Sequence, residues 1–185
     1  KDRVLDLYLV RPITSSDYVF ARVLAFFTVV LALVYSGQVV LQVGLILTAA
    51  DPLNFIKDNW LDIPRFLTAG AAIAAYTTTL ALLTAGFTTR RAYASAFLVG
   101  LFVISTPFTT GLAEEIGGTA GQWISMFNLS NIPVHVNDVI FGEISGVTSN
   151  APAGEFASWI LVSWFFAWTL VPAGILWIRY RRLSP

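Results

Sequence analysis

Four stretches of this chain are apolar for long enough to cross a hydrocarbon core, and that one fact limits the fold more than any motif does. A bilayer interior about 30 Å thick takes roughly 20 helical residues to span. Residues 23–47, 66–87, 92–108 and 156–178 reach or approach that length with no Asp, Glu, Lys, Arg or His inside them. Lipid offers the backbone no hydrogen bonds, so a segment crossing it must satisfy its own amides, as a helix does. With 56% apolar and 12% charged residues, the rest of the chain cannot cover a water-soluble globule. The expected fold is therefore all-α, a polytopic transmembrane bundle of four spans within one domain. The third span is the shortest: "STPFTTG" around Pro107 predicts its end there, with room for one more turn at its start through Arg91.

Lys and Arg collect in short cytoplasmic loops, so their placement predicts orientation. Lys1, Arg3, Arg11 and Arg22 precede the first span, Arg90 and Arg91 separate the second from the third, and Arg179, Arg181 and Arg182 follow the fourth. Because the chain reverses at each span, all three groups fall on one side. The other side carries Lys57 and Arg65 against Asp51, Asp58, Asp62, Glu114, Glu115, Asp138, Glu143 and Glu155. Both ends of the chain are predicted to be cytoplasmic in a cell membrane, with loops 48–65 and 109–155 outside. Trp60, Trp123 and Trp159 on one side, and Trp177 and Tyr180 on the other, suit an interfacial aromatic belt.

Polar groups inside a span need a partner or a watery cavity. Tyr35, Gln38 and Gln42 follow at i, i+3 and i+7 and share one face of the first helix. They either line a substrate path or hydrogen-bond between helices. In the second span the threonines of "YTTTLALLT" are expected to bond back to the preceding turn, and Gly70 with Ala74 forms a small face for close packing. Pro172 is expected to kink the fourth span or free a carbonyl. With no ionisable group at depth, a proton relay, a voltage sensor or an ion-coupled pump has no residues to use.

Residues 109–155 are too long for a plain connector and mix aromatics with Asn, Pro and Gly. Short helices dipping into the outer leaflet would bury Trp123, Ile124, Met126, Phe127, Val139, Ile140 and Phe141, leaving Glu114, Glu115, Asp138 and Glu143 wet. His135 and Asp138 stand at i and i+3 but lack a third metal ligand nearby. The triplet Asn128-Leu129-Ser130 matches a glycosylation acceptor with nothing else to support it. The chain has no Cys, which removes disulfides, iron–sulfur clusters and thiolate zinc together. Its net charge of zero offers no footprint for nucleic acid. No phosphate-binding loop, zinc-protease helix or nucleophile elbow is present, so no enzymatic activity and no cofactor are predicted for the chain itself.

The opening residues are the most distinctive. "DRVLDLYLVRPITSSDYVFARVLAFF" places a Leu-rich amphipathic piece, Pro-Ile-Thr and a Tyr directly before the first span. Through Leu5, Leu7, Leu9, Arg11, Pro12, Ile13, Thr14, Tyr18 and Val19 it resembles the cytoplasmic signature of type-two ABC exporter permeases. Ala21-Arg22 stands where that family commonly has Gly-Lys, Ser16 where a basic residue is frequent, and Val4 in place of a small or polar residue. The resemblance implies a coupling helix within residues 1–21 that seats in a groove of a cytoplasmic ATP-binding cassette subunit, with Leu7, Leu9, Arg11, Pro12, Ile13, Tyr18 and Arg22 as the coupling residues. It also implies that the spans seen are the last four of six and that re-entrant helices lie in the last outer loop. ATP and Mg would belong to the partner subunit, and a second permease copy would complete a dimer in the lipid bilayer. A membrane scaffold or assembly protein and a secondary carrier are the alternatives.

Overall fold

The structure is a computed structural model and describes residues 15–88, 91–142 and 152–181. Among them every regular element is helical: α1 (Ser15–Thr48), α2 (Pro52–Asp58), α3 (Asp62–Phe87), α4 (Arg91–Ile116), α5 (Gly118–Ser125), α6 (Ile132–Phe141), a 3-10 turn (Pro152–Glu155) and α7 (Ser158–Arg181). Four are long and apolar enough to cross a membrane, over Val19–Thr48, Asp62–Phe87, Ala92–Ile116 and Ser158–Arg179. The protein is an all-α, multi-pass bundle suited to a lipid bilayer.

The third span departs from its expected end. α4 runs through Pro107 to Ile116, two turns past the break that "STPFTTG" predicts. In a membrane helix a proline is tolerated where hydroxyls re-satisfy the backbone. Pro107 frees the Val103 carbonyl, and the Ser105 and Thr109 hydroxyls donate to other carbonyls of the same stretch, those of Phe102 and Ser105, at 3.0 and 2.6 Å. α7 likewise stays one helix through Pro172.

α3 is the hub. One stripe of it, Tyr76 and Leu80, packs against Leu129, Ile132 and Val136 of the 109–155 loop and against Phe165 of α7. A second stripe of small residues meets α1: a Cβ on Gly70 would run into the Tyr35 ring. Three threonines of α3 bond back as expected, Thr77 to Ile73, Thr79 to Ala75 and Thr84 to Ala81, whereas Thr78 is buried with its hydroxyl unpartnered.

After α4 the chain turns back on itself. Gly117 and Gly118 both take positive φ, 63° and 56°, a reversal that a side chain would oppose. α5 then descends along α4, so close that a Cβ on Gly121 would lie 2.5 Å from the Ala113 carbonyl oxygen. At the bottom Tyr76 donates to the Leu129 carbonyl at 2.9 Å. Tyr76 lies fourteen residues, roughly 21 Å, along α3 from its start at Asp62. The α5–α6 turn therefore sits at mid-height in the bundle, which is the geometry of a re-entrant hairpin.

The burial pattern within this hairpin is partly as expected. Met126 is buried and Glu114 and Glu115 are exposed, but Trp123 and Phe127 keep about half their surface while Leu129, Ile132, His135 and Val136 go inside. Trp123 and Phe127 instead join an aromatic cluster with Phe156, Trp164 and Trp168, centroids 4.9–6.5 Å apart. Trp164 donates its indole N–H to the Met126 carbonyl at 2.7 Å and ties the hairpin to α7.

Candidate functional site

The polar face of α1 divides in two. Tyr35 stacks on Phe66 with centroids 5.8 Å apart, and its hydroxyl donates to the Leu67 carbonyl at 2.7 Å. Gln38 lies beside Gly70 with its Oε1 buried and unpartnered. These two belong to the α1–α3 seam, where a glycine lets an aromatic ring approach the backbone. Gln42, one turn further on, does not pack there. It lines a half-open cavity of about 190 Å³ between α1, α2 and the start of α3, together with Val43, Ile46, Phe55, Ile63 and Phe66.

The sequence builds this cavity locally. Asp51 caps α2, its carboxylate accepting from the Asn54 amide at 3.3 Å, and Pro52 occupies the first helical position that suits it. The short helix lays Phe55 and Ile56 over the gap between α1 and α3. Asn59 ends it, donating through Nδ2 to the Phe55 carbonyl at 2.9 Å. Asp62, which opens α3, pairs with Arg65 at 3.4 Å, both side chains more than a third exposed. Gln42, Asn59 and Asp62 are the polar residues in its otherwise apolar lining. From sequence Asp62 counts only as an outer-side charge and Phe66 as the start of a span, and Phe55 and Asn59 carry no signal; the capping pair "DP" at 51–52 announces the helix that assembles them, but not what the helix covers.

Of the residues expected from the resemblance to couple, Leu7, Leu9, Arg11, Pro12 and Ile13 lie outside the described residues. Tyr18 and Arg22 fall on the first turns of α1, and Arg22 is exposed. Arg22 at the start of α1, Arg91 at the start of α4 and Arg179 at the end of α7 share one end of the bundle, where the Arg179 guanidinium lies 4.5 Å from the centroid of the Phe87 ring.

His135 occupies a different setting. It is 3% exposed on α6, with both ring nitrogens unpartnered. Burial pushes its pKa below the usual histidine value, against the opposing pull of Asp138. Among the described residues no three His, Cys, Asp or Glu side chains gather to hold a metal. Asn128 is 2% exposed, and its Oδ1 accepts from the Ser130 amide at 3.1 Å and the Thr106 hydroxyl at 3.2 Å. It is a structural residue of the hairpin turn, closed to an oligosaccharide.

Comparison with protein-family models, curated proteins and solved structures finds no match to this chain.

Proposed function

We propose that this chain is the permease portion of an ATP-driven ABC exporter, working as a dimer with cytoplasmic ATPase subunits and hydrolysing nothing itself. The observation that carries this reading is the stretch from Leu5 to Val19, which resembles the coupling signature of type-two permeases and in the sequence directly precedes the first span. The mechanics agree with it. An ATPase moves membrane spans by pressing on a rigid piece near their inner ends, and Pro12 stiffens the chain there. α1 is one helix of 34 residues with no proline inside it. Displacement at its start is carried to its far end, where it meets α2 and α3. The re-entrant hairpin supports the same reading, since type-two permeases carry such helices in their last outer loop.

In this reading the end bearing Arg22, Arg91 and Arg179 is cytoplasmic and the end bearing Asp51, Asp58 and Asp62 faces out. The lack of charged residues in the middle of the spans favours a path driven by a partner over an ion-coupled carrier.

The test is co-purification of the full-length protein from membranes, with and without Arg11→Glu and Pro12→Gly. An ATPase that accompanies the native protein, and is lost or uncoupled in the variant, is the expected result. A native protein that purifies with no ATPase overturns the permease reading in favour of a membrane scaffold.

A further inference from the structure

The cavity beneath α2 is unusual in what surrounds it. Its wall is almost wholly apolar, and it lies between two membrane-spanning helices at the end opposite Arg22 and Arg179. Apolar cavities of about 150 Å³ in proteins stay dry and take up a benzene-sized guest. At about 190 Å³ this one holds a longer apolar group and opens to its surroundings. In a bilayer those surroundings would be apolar, since Val39, Val43, Leu45 and Leu47 on the neighbouring faces of α1 are about half exposed or more.

The polar lining residues add chemistry. Among the described residues Gln42 has no side-chain hydrogen-bond partner, and Asn59 spends its Nδ2 on the Phe55 carbonyl, which leaves its Oδ1 to accept. Asp62 contributes a carboxylate. Gln42, Asn59 and Asp62 bring two amides and a carboxylate to the same lining, groups that can accept from the three donors of a primary ammonium. Arg65, paired to Asp62 and still 41% exposed, sets a cation beside that anion. A group carrying an ammonium next to a phosphate matches both charges in order.

We propose that this cavity binds one acyl chain of an ethanolamine phospholipid, with the ammonium held at Gln42, Asn59 and Asp62 and the phosphate at Arg65. The proposal rests on the bilayer environment of α1 and α3 and not on the permease reading, so it stands or falls separately from the ATPase test. Choline lipids lack the N–H donors, and the same groups discriminate against them.

The experiment uses the full-length protein in phosphatidylcholine nanodiscs doped with a phosphatidylethanolamine whose acyl chain bears a photoreactive diazirine, with the matching phosphatidylcholine probe as the second arm. Cross-linked peptides are located by mass spectrometry. The expected result is labelling of the 55–66 segment about tenfold stronger with the ethanolamine probe, the factor of one charge-assisted hydrogen bond. Unlabelled phosphatidylethanolamine should compete, whereas free phosphoethanolamine, lacking the chain, should not.

Two variants separate the parts. Val43→Trp fills the cavity from a half-exposed position and should abolish labelling of 55–66 with both probes. Asp62→Asn should keep chain labelling but reduce the ethanolamine probe to the level of the choline probe. Equal labelling by the two probes in the native protein, labelling that Val43→Trp leaves unchanged, or no labelling of this segment by either lipid would each overturn the proposal.

Discussion

α1 and α3 are both apolar helices long enough to span a bilayer, yet they are held in opposite ways. In its most apolar stretch α3 buries 39% of its residues within the protein, and α1 buries none. α3 touches α1, α4, α6 and α7, and its Tyr76 is wholly enclosed. α1 meets α3 along a seam of Tyr35, Gln38 and the gap that Gly70 leaves for them, and touches α7 and α2 more lightly. In water an exposed face like that of α1 would drive aggregation; in lipid it is solvated at no cost, and helix association depends on close packing and polar contacts instead. A hub and a tethered strut follow from the same composition.

The sharpest way to break the comparison is at Tyr76. Tyr76→Ala removes the ring packed against Phe165, 6.1 Å between centroids, and the hydroxyl that holds the hairpin turn. It should destabilise the protein by about 3–5 kcal/mol, read as loss of the unfolding transition at moderate temperature in detergent. A variant as stable as the native protein would remove α3 from its place as hub.

On α1 the sensitive point is its seam with α3. Gly70→Ala forces the Tyr35 ring off its site and should cost about 1–3 kcal/mol. Combining it with Tyr35→Leu should recover part of the loss, since the two changes share one contact. A neutral Gly70→Ala would mean that α1 is held elsewhere.

How far the sequence reveals this architecture depends on the range of the interaction involved. The spans are local: hydropathy and length place all four, and the capped start of α2 is written in Asp51 and Pro52. The end of the third is not, because a proline reads as a helix end by its local rule, whereas α4 continues through Pro107 to Ile116. The depth of the hairpin rests on contacts between distant segments, among them Tyr76 to Leu129, Trp164 to Met126, Thr106 to Asn128 and Ser130 to Phe102, and periodicity carries no trace of these. Gly117-Gly118 is the one local sign of the reversal. The i, i+3, i+7 spacing puts Tyr35, Gln38 and Gln42 on one face but does not say that the seam ends between Gln38 and Gln42. The coupling stretch rests on resemblance alone, since residues 5–13 lie outside those described.

His135 extends the comparison to pH, because the hairpin that leans on α3 carries a buried imidazole and α1 carries none. Its pKa is lowered in the folded state, so below the unfolded value of about 6.5 the unfolded chain binds more protons. Stability should be level above that pH and fall on acidification, by at most about 1.4 kcal/mol per pH unit. His135→Leu should flatten the acid branch and leave neutral stability equal or higher, since two unpartnered nitrogens are removed. Melting curves of both proteins between neutral and mildly acid pH decide it, and an unchanged acid branch would assign the effect to other groups.

The smallest effect is the most telling about α1. Leu41 is 69% exposed on a face that no other described residue covers, so Leu41→Ala exchanges one lipid-facing side chain for another and should shift stability by less than about 0.5 kcal/mol. That expectation holds for a protomer surrounded by lipid. In a dimer whose second copy packs on this face, the same change removes a buried leucine and should cost several times more, and the loss should depend on protein concentration in the nanodisc preparation. A single conservative substitution on the least buried helix thus reports whether α1 meets only acyl chains or a partner.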